Sequence, residues 1–160
     1  MLPIVFSMVF VCGIIAVVYL IRDKKRRVYI EHCMTVILMT KELISCAQKH
    51  RGFSASYLQG NQGVKPMIIT LRQNMVAIQR NMQDSKVVYQ QERWLAFIDH
   101  WPRLKDAAFE LSVQDSFNQH TALIENLLYL LEDIAGTWQQ HAQNGSKATG
   151  YLWHELPLTV

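Results

Sequence analysis

An arginine on the inward stripe of a helix is the residue of this chain best placed to do chemistry. Stepping back from Leu58 by three or four residues passes through Ser54, Arg51, Ala47, Ile44, Thr40 and Ile37, which is one helix face. Every other member of that stripe is apolar or small. A lone guanidinium is costly to desolvate, so the position calls for an anion or a set of acceptors. Gly52, Ser54, Ala55 and Ser56 crowd around Arg51, leaving room beside the guanidinium, and the two serines offer hydroxyls. A guanidinium presents parallel donors that match two oxygens of a flat oxyanion. Spacing alone leaves two accounts open. One is an anion-binding site at Arg51, with His50 and Ser54 beside it. The other is a structural ion pair with an inward acid, for which Glu42, Glu125 and Glu132 are candidates, inside a ligand-free helical scaffold that presents an apolar groove to a protein partner.

A second cation for such a site has candidates in Arg72 and Arg93, which border apolar stripes, and in Arg80 and Arg103. Each of these also suits a solvated surface. Other chemistry finds little support. The six histidines, His32, His50, His100, His120, His141 and His154, form no H-x-x-x-H or H-E-x-x-H, and no cysteine accompanies them at finger spacing. There is no nucleophile elbow, phosphate loop or dinucleotide fingerprint. The expectation is a non-enzyme with no metal and no cofactor. His120, on an apolar stripe, reads as a hydrogen-bonded core histidine. Cys12, Cys33 and Cys46 are odd in number and form no C-x-x-C, so they read as buried free thiols in a reducing compartment.

The elements that must position these residues begin with an uncharged run, Leu2 to Ile21. Twenty helical residues span roughly 30 Å, the thickness of a bilayer core, so this reads as a transmembrane helix. A cleaved signal peptide fits poorly, because no basic region precedes the run and no small-x-small site follows it. Residues 22–27 form a basic juxtamembrane segment holding five of the sixteen basic residues and one of the thirteen acids. Without it, eleven basic residues face twelve acidic ones, so no basic face is left for nucleic acid. The positive-inside rule puts this segment and the bulk of the chain in the cytoplasm of a single-pass membrane protein, and the cluster can touch anionic headgroups.

The remainder is patterned as helices. The first runs to about Leu58, either from the basic segment or as an unbroken continuation of the membrane helix, and stops at Gly60-Asn61-Gln62-Gly63. The second follows Pro66, with Ile68, Leu71, Met75, Ile78 and Met82 as its seam. The third covers about Val87 to Leu111, and Pro102 predicts a kink or split after Trp101. The fourth runs from about Phe117 to Gln143, capped by Asp115 or Ser116 and ended by Asn144-Gly145-Ser146; its stripe is Phe117, His120, Ile124, Leu127, Leu131, Ile134 and Trp138. Tyr151 to Leu156 reads as a short helical segment. Four helices with short connections predict an all-α, antiparallel four-helix bundle over residues 28–160 following the membrane helix at 1–21. The apolar end, Leu156 to Val160, suggests a chain cut short or a docked tail.

One segment carries a resemblance. His50-Arg51-Gly52-Phe53-Ser54-Ala55-Ser56-Tyr57-Leu58 is similar to the arginine-glycine motif on the first helix of the nitrate- and nitrite-sensing (NIT) domain. His120-Thr121-Ala122-Leu123-Ile124-Glu125-Asn126-Leu127-Leu128 resembles a later helix of that family, and Leu152 to Pro157 the start of its next section. The resemblance implies the first half of a helical sensor domain from a bacterial inner-membrane protein. It implies nitrate or nitrite as ligand, Arg51 as the anion-binding arginine, and a signal passed by helix rearrangement to a partner copy or a downstream protein. The family's second basic motif lies further downstream than this chain extends, so part of the pocket is expected from outside it.

Overall fold

Gly60 sets the first boundary in the computed structural model, which describes the backbone of residues 2–154 and the side chains of residues 10–143. Helix α1 (Leu2–Leu58) ends where Gly60 takes φ +103°, a conformation that glycine adopts without a Cβ penalty. Two hydrogen bonds close the end: Gly60 N–H to the Tyr57 carbonyl at 2.9 Å and Asn61 N–H to the Ser56 carbonyl at 3.1 Å. This is the Schellman arrangement that satisfies the last carbonyls of a helix. A single 3-10 turn (Gln62–Val64) leads into α2 (Lys65–Met82), with Pro66 in its first turn, where a missing N–H goes unnoticed.

Helix α3 (Glu92–Ala107) starts later than its apolar pattern predicts. Ser85 is the cause. Its hydroxyl accepts the Val87 N–H at 3.2 Å, and its carbonyl accepts from Val88 and Tyr89, so residues 86–90 form turns that bury Val87 and Val88. Gln91, extended at ψ 124°, then opens the helix. Pro102 does not split α3, which continues five residues beyond it. Helix α4 (Val113–His154) starts at Ser112 rather than at Asp115 or Ser116. The Ser112 hydroxyl accepts the Asp115 N–H at 3.0 Å, an N-cap bond to a first-turn donor, and itself donates to the Asp115 carboxylate at 2.6 Å. The helix also runs through Asn144-Gly145-Ser146 to His154; a helical glycine costs only about 1 kcal/mol relative to alanine, too little to end a helix that long. The expected segment at 151–156 is therefore the end of α4 as far as His154, and its last two residues lie outside the described ones.

The chain is all-helical, with no strand among the described residues. It divides into two compact units, Cys33–Thr137 and Met1–His32 with Trp138–Val160, so the module expected at 28–160 falls across both. In Cys33–Thr137 the core draws on all four helices. α1 buries Cys33, Val36, Thr40, Leu43, Ala47, His50 and Ser54; α2 buries the whole of its predicted seam. α3 contributes Trp94, Phe97, Trp101 and Leu104, whose burial stabilises by roughly 2–3 kcal/mol each. α4 contributes Ser116, His120, Leu123, Ile124, Leu127, Leu130 and Ile134. Phe117, expected on that stripe, is exposed.

In the other unit, Asp23 accepts hydrogen bonds from Arg26 at 2.7 Å and Arg27 at 2.8 Å, and the two arginines hold its carboxyl below the usual range. Tyr29 and His141 rings meet at 4.6 Å. The expected membrane span at 2–21 is helical throughout, and its side chains from Phe10 to Ile21 are exposed. Side chains 2–9 lie outside the described residues. Among the described residues, no helix is long and apolar enough to cross a membrane.

Candidate functional site

His50, one residue before the arginine, is a fully buried position of α1. Its ring is fully buried, as is that of His120 on α4, and the two touch: His50 Nδ1 lies 2.7 Å from His120 Nε2. Ser54, one turn below His50, places its hydroxyl 3.3 Å from the same Nδ1. On the far side of His120, Nδ1 lies 2.6 Å from the Ser116 carbonyl oxygen and 3.4 Å from the Ser116 hydroxyl. From α2, Arg72 Nε donates to His50 Nε2 at 3.3 Å. From α3, Trp101 meets the His50 ring edge-on at 5.2 Å. All four helices therefore converge on one buried imidazole.

Both histidines are held neutral. Burial, the second imidazole and the Arg72 guanidinium push His50 down to about 3. Burial also lowers His120; its bond to the Ser116 carbonyl opposes the shift, while Arg51, His100 and Arg72 add to it. Neutral rings can each donate once and accept once, which suits a chain of hydrogen bonds.

Arg51 lies at the flank of the stripe, half-buried. Its Nη1 donates to the Thr121 hydroxyl at 3.1 Å, and its guanidinium lies 4.7 Å from the centre of the Phe117 ring. No carboxylate lies within ion-pair reach of Arg51 among the described residues, and Glu42, Glu125 and Glu132 are all exposed. The ion-pair account of Arg51 thus finds no acid where it needs one.

Of the two candidate second cations, Arg72 joins His50 and Ser54, and Arg93 does not. Arg93 is tied to Asp133 at 2.8 Å and stacks on Tyr129 at 4.6 Å. Arg72 stacks on Phe109 at 4.2 Å and is buried enough that its Nη2 has no contact with solvent; among the described residues that nitrogen has no hydrogen-bond partner. Trp101 Nε1 is a second buried donor without one. Desolvation lowers the Arg72 pKa, with Asp106 offsetting part of the effect. A buried donor left unpaired typically costs about 1–3 kcal/mol, and most proteins avoid it. Arg72 also lines a groove of about 370 Å³ together with Gln73, Arg80 and Lys105. That groove is basic, lined by three cationic side chains, one of which is the arginine that reaches His50.

A larger groove, about 620 Å³, runs between α3 and α4 past His100, Leu104 and Gln119. Its polar groups satisfy one another: His100 bonds Gln119 at 2.7 Å, and Arg103 pairs with Asp99. No group of three metal-ligating side chains exists among the described residues. Chemically, the arrangement around His50 is a chain of neutral imidazoles that ends on a guanidinium with a spare donor. Sequence reasoning named His50, Ser54 and Arg72. It assigned His120 to the core without linking it to His50, and it passed over Trp101 and Phe109 as site residues. Comparison with known proteins returned no matching family model, no matching curated protein and no matching solved structure.

Proposed function

We propose that this chain is a membrane-anchored sensor module that binds a small planar oxyanion, nitrate or nitrite, inside an antiparallel four-helix bundle. The observation that carries the reading is Arg72: a guanidinium set against a neutral histidine pair, whose buried Nη2 has no hydrogen-bond partner and which has no carboxylate in ion-pair reach among the described residues. In this reading Arg72 is the principal ligand, approached through the basic groove. His50 and Ser54 form the wall behind it, and Arg51, whose charge is felt at His120, adds a second positive charge. The resemblance of residues 50–58 to the NIT motif supports the same ligand class, with the anion moved from Arg51 toward Arg72.

The anchor is the helix at 2–21, with the basic segment at 22–27 on the cytoplasmic side of a bacterial inner membrane. Because His50, Arg72, Trp101 and His120 come from four different helices, an anion held among them favours one packing over another, which is what a ligand must do to shift an equilibrium. The output passes to a second copy or to a downstream protein.

Isothermal titration of the full chain in detergent tests the reading, with nitrate, nitrite, chloride and sulfate as ligands. Nitrate or nitrite is expected to bind, and Arg72→Gln to weaken the binding at least about tenfold, the loss of one charge-assisted bond. Absence of binding by a well-folded chain, or undiminished binding in Arg72→Gln, removes this site.

A further inference from the structure

The tautomer of each ring in the buried chain follows from its ends. Arg72 Nε can only donate, so His50 Nε2 must accept. His50 then carries its proton on Nδ1 and donates it to His120 Nε2. His120 likewise carries its proton on Nδ1 and donates it to the Ser116 carbonyl oxygen, which can only accept. Every proton points the same way, from α2 toward α4. The Ser54 and Ser116 hydroxyls, at 3.3 and 3.4 Å, sit beside the two Nδ1–H groups as secondary acceptors.

This ordering puts His50 in competition with any anion at Arg72. Nε and Nη2 lie along one edge of the guanidinium, the edge that grips two oxygens in parallel. In the structure, His50 Nε2 occupies half of that edge and Nη2 is left over. A proton added to His50 Nε2 disturbs little else, because Nδ1–H still donates to His120. It turns one contact repulsive, with two donors facing each other. Arg72 is then released from His50, its edge is free as a parallel pair, and Nε2–H stands beside it as a third donor.

We infer that oxyanion binding at Arg72 is coupled to the uptake of one proton by His50, which changes from an acceptor occupying the arginine into a donor sharing the anion with it. This rests on the oxyanion reading above. The charged and titratable groups around the pair are Arg51 from α1, Arg72 from α2, His100 from α3 and His120 itself from α4, with Asp106 of α3 acting on Arg72. Among the described residues these cations outweigh Asp106, and burial adds to their effect, so the pair stays neutral until negative charge arrives beside it. An anion supplies that charge. By linkage, if the anion favours the proton, the proton favours the anion to the same degree.

Nitrate titrations of the full chain in detergent, from about pH 5 to about pH 8, in two buffers of different ionisation enthalpy, test the coupling. The dissociation constant is expected to fall by up to about tenfold per unit decrease in pH, the limit for one linked proton. The binding heat is expected to differ between buffers by the heat of one proton. His50→Gln keeps an amide facing Arg72 but cannot take up the proton; it is expected to bind nitrate more weakly and without pH dependence. Nitrogen-15 spectra of the histidine rings supply a readout that does not depend on that variant. Both rings are expected as the Nδ1–H tautomer in the free protein, and His50 doubly protonated at saturating nitrate. Wild-type binding that is equally tight across the pH range, with no difference between buffers, overturns the coupling and leaves the oxyanion site standing. A free-protein His50 protonated on Nε2 overturns the directed chain. Absence of nitrate binding at every pH overturns the oxyanion reading itself.

Discussion

At the scale of single residues, the decisive question is which side chain of α1 points inward. A helix advances about 100° per residue, so Ala47, His50, Ser54 and Ala47, Arg51, Ser54 satisfy the same three- and four-residue steps. Charge made Arg51 the conspicuous member of the stripe. The structure buries His50 instead and leaves Arg51 at the edge with Thr121 and Phe117. What decides between them is the partner on α4, seventy residues away, and no local pattern records it. The histidine pair makes stability depend on pH. In the unfolded chain each imidazole titrates near its ordinary value of 6.5, whereas in the fold His50 titrates at about 3 and His120 is also lowered. Below 6.5 the unfolded state binds protons that the native state refuses. The contribution is therefore complete above about pH 6.5 and is lost as pH falls from there toward 3. Denaturant unfolding at successive pH values is expected to show a slope approaching about 1.4 kcal/mol per pH unit for His50 in that window. The slope should shrink in His50→Gln. A profile that is flat from pH 7 to pH 4, or one rising toward acid, is incompatible with a neutral buried pair.

At the scale of elements, legibility followed how local the determining interaction is. The α2 seam was readable in full, because its period, Pro66 before it and polar residues opposite it all agree. The end of α1 was readable because only a residue tolerant of positive φ closes it so tightly. The start of α3 was not. Val87 and Val88 continue the apolar pattern, yet the Ser85 side chain holds their backbone in turns, and a serine hydroxyl competing with a helix leaves no mark in the hydrophobic period. The start of α4 was misplaced for a related reason. Ser112, Asp115 and Ser116 are all good caps, and the choice fell to Ser112 because Ser116 is needed inside, beside His120. The two helix ends predict separable costs. Gly60→Ala must force a Cβ into φ +103°, where no neighbouring atom obstructs it, so the penalty is conformational alone, about 1–2 kcal/mol. Ser112→Ala removes the acceptor for the Asp115 N–H and is expected to cost about 1 kcal/mol. The sites lie at different helix ends and share no partner, so their effects on unfolding free energy should add in the double variant. A coupling beyond about 0.5 kcal/mol would show that one of the two ends has been wrongly described.

At the scale of the whole molecule, the proposed anchor and a residue of the proposed site lie along one helix. α1 is continuous from Leu2 to Leu58, so the segment that would lie in the bilayer and the residue that touches Arg72 belong to the same element. The large apolar side chains between Phe10 and Ile21 are exposed, at 39–71% of their full area. In water such a surface invites association; in a bilayer it is the expected covering. The basic segment that follows is only partly self-neutralised, since Asp23 takes up Arg26 and Arg27 and leaves Arg22, Lys24 and Lys25 outside that bridge. The apolar run predicts location, and the charge asymmetry predicts orientation. The chain is expected in the membrane fraction and resistant to carbonate extraction, and deletion of residues 2–21 should move it to the soluble fraction. A reporter that fluoresces only in the cytoplasm, fused after Val160, should be bright, and neutralising Arg22, Lys24, Lys25, Arg26 and Arg27 together should dim it by loosening the orientation. A full chain recovered as soluble protein with residues 2–21 intact removes the anchor. It leaves the histidine pair and Arg72 as they are, because both lie within Cys33–Thr137 and are packed by that unit's own core.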